Sequence, residues 1–255
     1  MSLPSWWASR LTELDHLTVH LEKRPETVQT GAGLRTAVGG ARAAATSVLT
    51  EDGTGRGYRR MRLRDIPMPC PSDRSLHPTG AQLGEATISI LYECWEDTGG
   101  FQRFGNDALD RIRRADVQVR VSGTATYGTR AISVQDHWRV DTHHFAEASP
   151  DPHPWIHYQR GGHAQDEFAA LPGFLPGECL TDSLFEPEVE LTALMQTPAP
   201  RIATPPLDPI CAIDFVLAQH SGTLWSSLWS NVDYAGVVRR AQERLWEPWF
   251  AALND

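Results

Sequence analysis

The chain has 255 residues, of which 41% are hydrophobic and 22% are charged. These fractions are typical of a folded globular protein and exclude a chain that is disordered throughout. The formal net charge of −9 disfavours broad binding of nucleic acid or of an anionic membrane surface, because like charges repel. Nucleic acid is therefore expected to bind only locally, through arginine-rich segments, and no apolar stretch is long enough to predict a membrane span.

The four cysteines lie far apart in the sequence, at Cys70, Cys94, Cys179 and Cys211. Their spacing contains no CxxC pair of a zinc ribbon, and their number is too small for a disulfide scaffold. The N-terminal residues MSLPSWWASRL lack the basic start and the apolar run of a signal peptide. We therefore expect a cytoplasmic protein whose cysteines are free and buried.

Two helices are predicted near the N-terminal end of the chain. Residues 5–23 form the first, because leucines recur there at the spacing of a helix face. Residues 32–50 are rich in alanine and glycine. A helix in this second segment has to pack closely against a neighbour or stay loose, because Gly39 and Gly40 lower its intrinsic stability.

The centre of the chain is predicted to be rich in β-structure. Alternation of apolar and polar residues indicates strands at 58–65, 87–95, 117–123, 132–145 and 154–159. In the first strand, Arg60, Arg62 and Arg64 alternate with apolar residues, so that one face is made of arginine and is either solvated or binds phosphate. A helix is predicted at 106–114, because capping residues begin it and arginines end it.

The C-terminal third is predicted to be mainly helical. The helices are expected over residues 186–196, 210–220, 223–231 and 233–254. Between the first two, residues 198–209 are proline-rich and are expected to run over the surface as an extended strap.

Together these elements predict an α+β fold. A mostly antiparallel sheet from about 58–160 is covered by helices from the two ends of the chain. We expect a single domain of residues 1–255. A sub-boundary near residue 172 would separate a β-rich part (1–171) from a helical part (172–255).

Six of the ten histidines lie between positions 137 and 163. If a turn at 146–152 joins the last two predicted strands into an antiparallel hairpin, alternation places several of these histidines on one face. Directly opposed residues are then about 5 Å apart. The face would gather six polar residues, namely His137, Arg139, Asp141, His143, His153 and His157.

Two chemistries fit this face. The only cofactor that the sequence suggests is a divalent metal such as zinc, and its candidate ligands are His137, His143, His153 and His157. Without a metal, histidines would act as general base and acid while an arginine holds an anion such as a phosphodiester. The candidate catalytic residues are then His143, His153, His157, Asp141 and Arg139. The first hypothesis is therefore a cytoplasmic, nuclease-like hydrolase.

The alternative hypothesis is a non-catalytic subunit or adaptor of a multiprotein assembly, in which the histidine face is structural. The chain has nine tryptophans, a residue type that is enriched at interface anchors. In this interpretation a protein partner docks on the Trp-rich C-terminal helices, which carry Trp225, Trp229, Trp246 and Trp249, and on the strap at 198–209.

Overall fold

The computed structural model describes residues 5–45, 50–51, 57–69, 82–96, 112–127, 129–142, 156–160, 192–194 and 206–252. These residues contain five helices: α1 (Ser5–Glu22), α2 (Val28–Ala45), α3 (Pro209–His220), α4 (Gly222–Trp229) and α5 (Val232–Ala252). They also contain seven strands: β1 (Thr50–Glu51), β2 (Gly57–Pro67), β3 (Gln82–Glu96), β4 (Ile112–Tyr127), β5 (Arg130–Thr142), β6 (Ile156–Arg160) and β7 (Thr192–Leu194).

The strands form one sheet in which β1 to β6 are neighbours in chain order and pair antiparallel. Two short strands share the outer edge of β5. Strand β6 pairs with residues 138–142 of β5, and β7 pairs parallel with residues 133–135. The predicted α+β fold is confirmed: a mostly antiparallel sheet in the middle of the chain carries helices from both ends.

One face of the sheet is apolar and forms the core with the helices. Alternate residues of the central strands point into it, and each of the following is no more than 2% exposed: Met61, Leu63, Ile88, Ile90, Tyr92, Val117, Val119 and Val121. Helix α2 packs on β2, and α3 packs on β3 and β4. Helices α1 and α5 contact α3 from the other side, so α3 is apolar on nearly all its faces, as a central buried helix has to be.

A bulge in β2 keeps its apolar residues on the core side. Between the pairs Leu63–Ile90 and Ile66–Ile88, β2 contains one residue more than β3. Asp65 takes up the extra residue at a φ of 55°, a conformation that aspartate tolerates better than most residues. Because of the bulge, Ile66 is buried while Arg62 and Arg64 both remain exposed.

Three predicted segments differ from the structure. Residues 112–114, expected to end a helix, begin β4, because pairing with β3 overrides the local helix propensity. Residues 192–194, expected to be helical, form β7. The end of the predicted strap, residues 206–209, is buried and not on the surface, because Asp208 caps α3 inside the core. The proposed boundary near 172 lies outside the described residues.

Close packing explains why α2 tolerates its glycines. A Cβ on Gly33 would overlap Cδ of Pro67, and a Cβ on Gly31 would lie 2.8 Å from the backbone nitrogen of Glu22. A Cβ on Gly39 would meet nothing within 4 Å. The first two glycines therefore let α2 approach α1 and β2, whereas Gly39 only lowers helix propensity.

We expect Gly33→Ala to lower the free energy of unfolding by about 1–3 kcal/mol, because the ring of Pro67 cannot move aside without shifting β2. The matched control Gly39→Ala should raise it by about 0.5–1 kcal/mol, which is the cost of glycine in a helix interior. Urea unfolding followed by circular dichroism measures both. Equal effects of the two substitutions would contradict this account of helix α2.

Candidate functional site

The opposite face of the sheet is polar, and the strand register arranges its residues in rows across the strands. One row, here called the charged row, consists of directly opposed residues on five consecutive strands: Arg60, Glu93, Asp116, Asp141 and His157. Directly opposed residues have Cβ atoms about 5 Å apart. The row therefore places three acidic residues side by side, with a basic residue at one end and a histidine at the other.

The β2 end of the charged row is an ion pair. Arg60 donates from Nε and Nη2 to Oε1 of Glu93, at 2.6 Å and 2.5 Å. The arginine is 42% exposed and the glutamate 13%, so the pair is only partly shielded from water. Asp116, the next residue of the row, is 4% exposed. An aspartate this buried on a polar face is uncommon unless it is partnered.

The next two rows contain no acidic residue. Arg62 is opposite Leu91, Leu91 opposite Gln118, and Gln118 opposite Arg139. In the row beyond, Ser89 is opposite Arg120 and Arg120 opposite His137. The polar face is thus divided along the strands into an acidic part and an arginine-rich part.

The structure brings some of the predicted site residues together. Strands β5 and β6 pair antiparallel, as the predicted hairpin requires, and Asp141 is directly opposite His157, while the predicted turn at 146–152 lies outside the described residues. Arg139 lies two residues along β5 from Asp141, and its side chain is half-buried. His137 lies four residues along β5 from Asp141, which is about 13 Å in a strand, so that it does not belong to the same immediate group.

The other predicted site residues are not positioned. His143 and His153 lie outside the described residues. The metal set of His137, His143, His153 and His157 therefore stays a prediction. Among the side chains that the structure describes, which do not include those of Asp141 and His157, no group of three or more His, Cys, Asp and Glu is arranged to hold a metal ion.

Three residues of the polar face were not singled out from the sequence: Glu93, Asp116 and Arg120. Glu93 and Arg120 occupy polar positions of the alternating segments at 87–95 and 117–123, so their face could have been predicted. Their alignment with Asp141 and His157 could not, because it depends on the register of three strand pairs, and a shift of one residue moves every side chain to the other face.

The sequence also did not indicate that His220 is buried on the apolar side of the sheet. Asp136 is fully buried on that side of the sheet. It accepts a hydrogen bond from Nε1 of Trp138 at 3.0 Å, and Nε2 of His220 lies 3.6 Å from the same oxygen. The pair joins β5 to the end of α3, and the edge of Trp138 packs against Phe215.

Two further buried aspartates belong to the helices. Asp208 forms an ion pair with Arg10 at 2.8 Å, and it accepts a hydrogen bond from the backbone of Ile210. Asp214 accepts three hydrogen bonds on one oxygen, from Trp225, Trp229 and the hydroxyl of Tyr234. Burial raises the pKa of Asp214 despite these three donors. All three partners belong to the helix layer, so neither aspartate belongs to the polar face.

The described cysteines fit the expected free thiols. Cys94 and Cys211 are both buried and unbridged. Burial raises the pKa of the Cys211 thiol well above its ordinary value, and a thiol in that state is a poor nucleophile. Cys70 and Cys179 lie outside the described residues.

Comparison of the chain with models of known protein families, with curated proteins and with solved structures gave no match. In the described part of the chain, no helix has the length and apolar character needed to cross a membrane. The geometry of the polar face is therefore the basis for assigning a function.

Proposed function

We propose that the protein is a phosphodiester hydrolase whose reactive centre lies at the β6 end of the charged row. The observation that carries this proposal is the register, in which Asp141 is directly opposite both Asp116 on β4 and His157 on β6. A carboxylate and an imidazole in directly opposed positions are within reach of a hydrogen bond. Such a pair is the usual way to orient and polarise a general base.

In this proposal His157 accepts a proton from a water molecule, and Asp141 orients the imidazole ring. The water oxygen forms a bond to phosphorus, the ester P–O bond breaks, and the leaving oxygen takes up a proton. His143 and His153 are the candidates for the acid that supplies this proton. Arg139, two residues from Asp141 on the same strand, is positioned to stabilise the negative charge on the phosphoryl oxygens.

A divalent metal such as zinc is the second form of the same proposal. Asp116 and Asp141 are directly opposed, and like charges in that position repel. A protonated His157 or a bound cation would remove this repulsion. With a metal, His157 and the carboxylates of the row would be ligands, and the metal would lower the pKa of bound water to near neutrality. His137 is too far along β5 to share that ion with His157.

We expect the full-length protein to hydrolyse bis(p-nitrophenyl) phosphate, and His157→Ala to lower kcat/KM about 10²- to 10⁴-fold, as loss of a general base does. Asp141→Asn should give a smaller loss in the same direction. The matched control is His16→Ala, because His16 is an exposed histidine on α1, a helix that packs on the other side of the sheet.

Elemental analysis of the purified wild-type protein separates the two forms of the proposal. A stoichiometric metal that is lost in His157→Ala supports the metal form, and hydrolysis without any metal supports the acid–base form. Undiminished hydrolysis by His157→Ala would falsify the assignment of the site. Absence of hydrolysis by the wild type would reject the function itself.

The proposal includes a location and limits the role of protein partners. A cytoplasmic location agrees with the buried free thiols of Cys94 and Cys211, which suit a reducing compartment.

Docking of a protein partner through the tryptophans of α4 is not favoured, because the ring nitrogens of Trp225 and Trp229 both donate hydrogen bonds to Asp214. The adaptor alternative would then depend on Trp246 and Trp249, whose side chains lie outside the described set.

A further inference from the structure

An arginine patch occupies the polar face beside the charged row. It consists of Arg62 and Arg64 on β2, Arg120 on β4 and Arg139 on β5. The first three are exposed and Arg139 is half-buried. The register aligns Arg62 with Arg139, and it places Arg120 in the adjacent row. The patch is therefore a feature of the folded sheet, in which only Arg62 and Arg64 are close in sequence.

The patch is small and its spacing is set by strand geometry. Arg62 and Arg64 are about 7 Å apart along β2, and β2 and β5 are three strand spacings apart, or about 14 Å. Four described arginines outside the patch form ion pairs with acids: Arg10 with Asp208, Arg35 with Glu22, Arg42 with Asp15 and Arg60 with Glu93. Among the described residues, no ion pair joins Arg62 or Arg64 to an acidic side chain.

The β-bulge marks where the arginine side of β2 ends. Arg62 and Arg64 precede the extra residue and lie on the polar face by alternation with Met61 and Leu63, and the bulge then returns Ile66 to the core. Asp65 uses its backbone N–H to donate to Ser89. Asp65 is itself exposed, so a carboxylate lies next to the patch on β2, in addition to the acidic residues of the adjacent charged row.

We propose that the arginine patch binds the phosphates of single-stranded nucleic acid and leads the strand toward Asp141 and His157. This inference rests on the proposed function, because patch and reactive centre share one face. Guanidinium groups bind phosphate with two parallel hydrogen bonds. Leu91 and Gln118 lie between Arg62 and Arg139 and offer an uncharged surface to a base.

The charge of the protein favours a single strand over a duplex. The formal net charge is −9, so phosphates that extend beyond the patch are repelled. A duplex carries twice the phosphate charge of a single strand per unit length, and it is too stiff to bend away from the acidic surface. A flexible strand can place a few phosphates on the patch and leave the rest in solvent.

The test measures binding of a fluorescently labelled oligothymidine of about 12 nucleotides, a length within the range of single-strand sites, to the full-length protein by anisotropy. We expect Arg62→Ala/Arg64→Ala to weaken binding about tenfold or more, as loss of charged hydrogen bonds does. Between about 50 and 200 mM salt, the slope of log Kd against log salt should fall by about 1.4, or 0.7 for each phosphate contact.

Two control variants separate the patch from general effects. Arg35→Ala/Arg42→Ala removes the same charge from exposed positions of α2 and should leave affinity and salt slope nearly unchanged. Arg62→Lys/Arg64→Lys keeps the charge without the guanidinium fork, so it should keep the salt slope while losing affinity. Circular dichroism of each variant verifies that the sheet is intact.

Several results would overturn the inference. The wild type could fail to bind oligothymidine, or Arg62→Ala/Arg64→Ala could bind it with wild-type affinity. A duplex could bind as tightly as the single strand or more tightly. Tighter binding of poly-glutamate than of oligothymidine would assign the patch to an acidic protein partner. Failure of the proposed function is distinguishable. If binding depends on the patch but bis(p-nitrophenyl) phosphate is not hydrolysed, the nucleic-acid site is supported and the hydrolase is rejected. If the protein hydrolyses this substrate but does not bind the oligonucleotide, the hydrolase is supported and the nucleic-acid site is rejected.

Discussion

Replacement of Arg10 by methionine is expected to lower the free energy of unfolding by about 3–5 kcal/mol, because it leaves the carboxylate of Asp208 buried without a cation. The two residues are 2% and 0% exposed, and Nε of Arg10 lies 2.8 Å from Oδ2 of Asp208. Burial disfavours the charged guanidinium, but Asp208 and other nearby groups outweigh this and raise the pKa of Arg10 overall. Urea unfolding followed by tryptophan fluorescence measures the loss.

The double variant Arg10→Met/Asp208→Asn tests whether the buried charge is the cause. Asparagine is also a good N-cap, so it should keep the hydrogen bond from the backbone of Ile210 while removing the carboxylate charge. The double variant should therefore be more stable than Arg10→Met alone, with a coupling of about 2–3 kcal/mol. Additive losses would show that Arg10 contributes through other interactions, such as its hydrogen bond with Tyr92, and not through its charge.

The control for this pair is Arg35→Met. Arg35 forms an ion pair with Glu22 between α1 and α2, and its side chain is 58% exposed. Exposed ion pairs contribute little, because water screens both charges. We expect no clear change in the urea midpoint. A loss of stability as large as that of Arg10→Met would mean that removal of an arginine charge lowers stability whether or not the ion pair is buried.

Replacement of Asp214 by alanine is expected to lower the free energy of unfolding by about 3–5 kcal/mol. The substitution removes one acceptor and leaves three donors without it, namely Nε1 of Trp225 and Nε1 of Trp229, which are half-buried, and the buried hydroxyl of Tyr234, each of which lies 2.9 Å from Oδ1. An unsatisfied buried donor costs about 1–3 kcal/mol. Because the donors lie on α4 and α5 and the acceptor on α3, the loss should appear as weakened docking of the C-terminal helices.

Asp214→Asn distinguishes the hydrogen bonds from the charge. Asparagine keeps the accepting oxygen, so its cost should be well below that of alanine. Burial raises the pKa of Asp214 above its ordinary value, so the folded protein holds this proton more tightly than the unfolded chain does. The contribution of Asp214 to wild-type stability is then fully present below the ordinary pKa and is lost as pH rises through the raised pKa.

The difference between Asp214→Asn and the wild type should therefore change with pH. The deficit of the asparagine variant is expected to be largest in acid and to shrink as pH rises through the interval between the ordinary and the raised pKa. Urea midpoints of both proteins across that interval provide the measurement. A deficit that stays constant would mean that folding does not shift this pKa, and a deficit that grows with pH would mean that the folded state prefers the ionised carboxylate.

The sequence by itself determined most of the secondary structure in the described part of the chain. The alternation of Arg60, Arg62 and Arg64 with Met61 and Leu63 predicted a two-faced strand, and the exposures of these residues agree. Such predictions succeed because burial of one face imposes a period of two on a strand and of 3.6 on a helix, and the period is visible locally. The α+β class followed from the order of these segments.

Local signals failed where a distant partner determined the conformation. Residues 112–114 and 192–194 lie in segments for which the sequence predicted helices, but pairing with β3 and β5 makes these residues strands. The described end of the proline-rich segment, residues 206–209, is buried because Asp208 forms an ion pair with Arg10, which lies far earlier in the chain. The charged residues and prolines of these segments do not indicate which distant strand or residue each segment contacts.

For the candidate site, the sequence determined the composition of one hairpin and the tertiary structure decided its neighbours. Asp141 and His157 could be assigned to adjacent strands from periodicity and an evident turn. Asp116, Glu93 and Arg60 joined them only through the registers of β2 to β5. Register depends on the sum of many weak cross-strand contacts and on a bulge such as that at Asp65, and neither can be read from one strand alone.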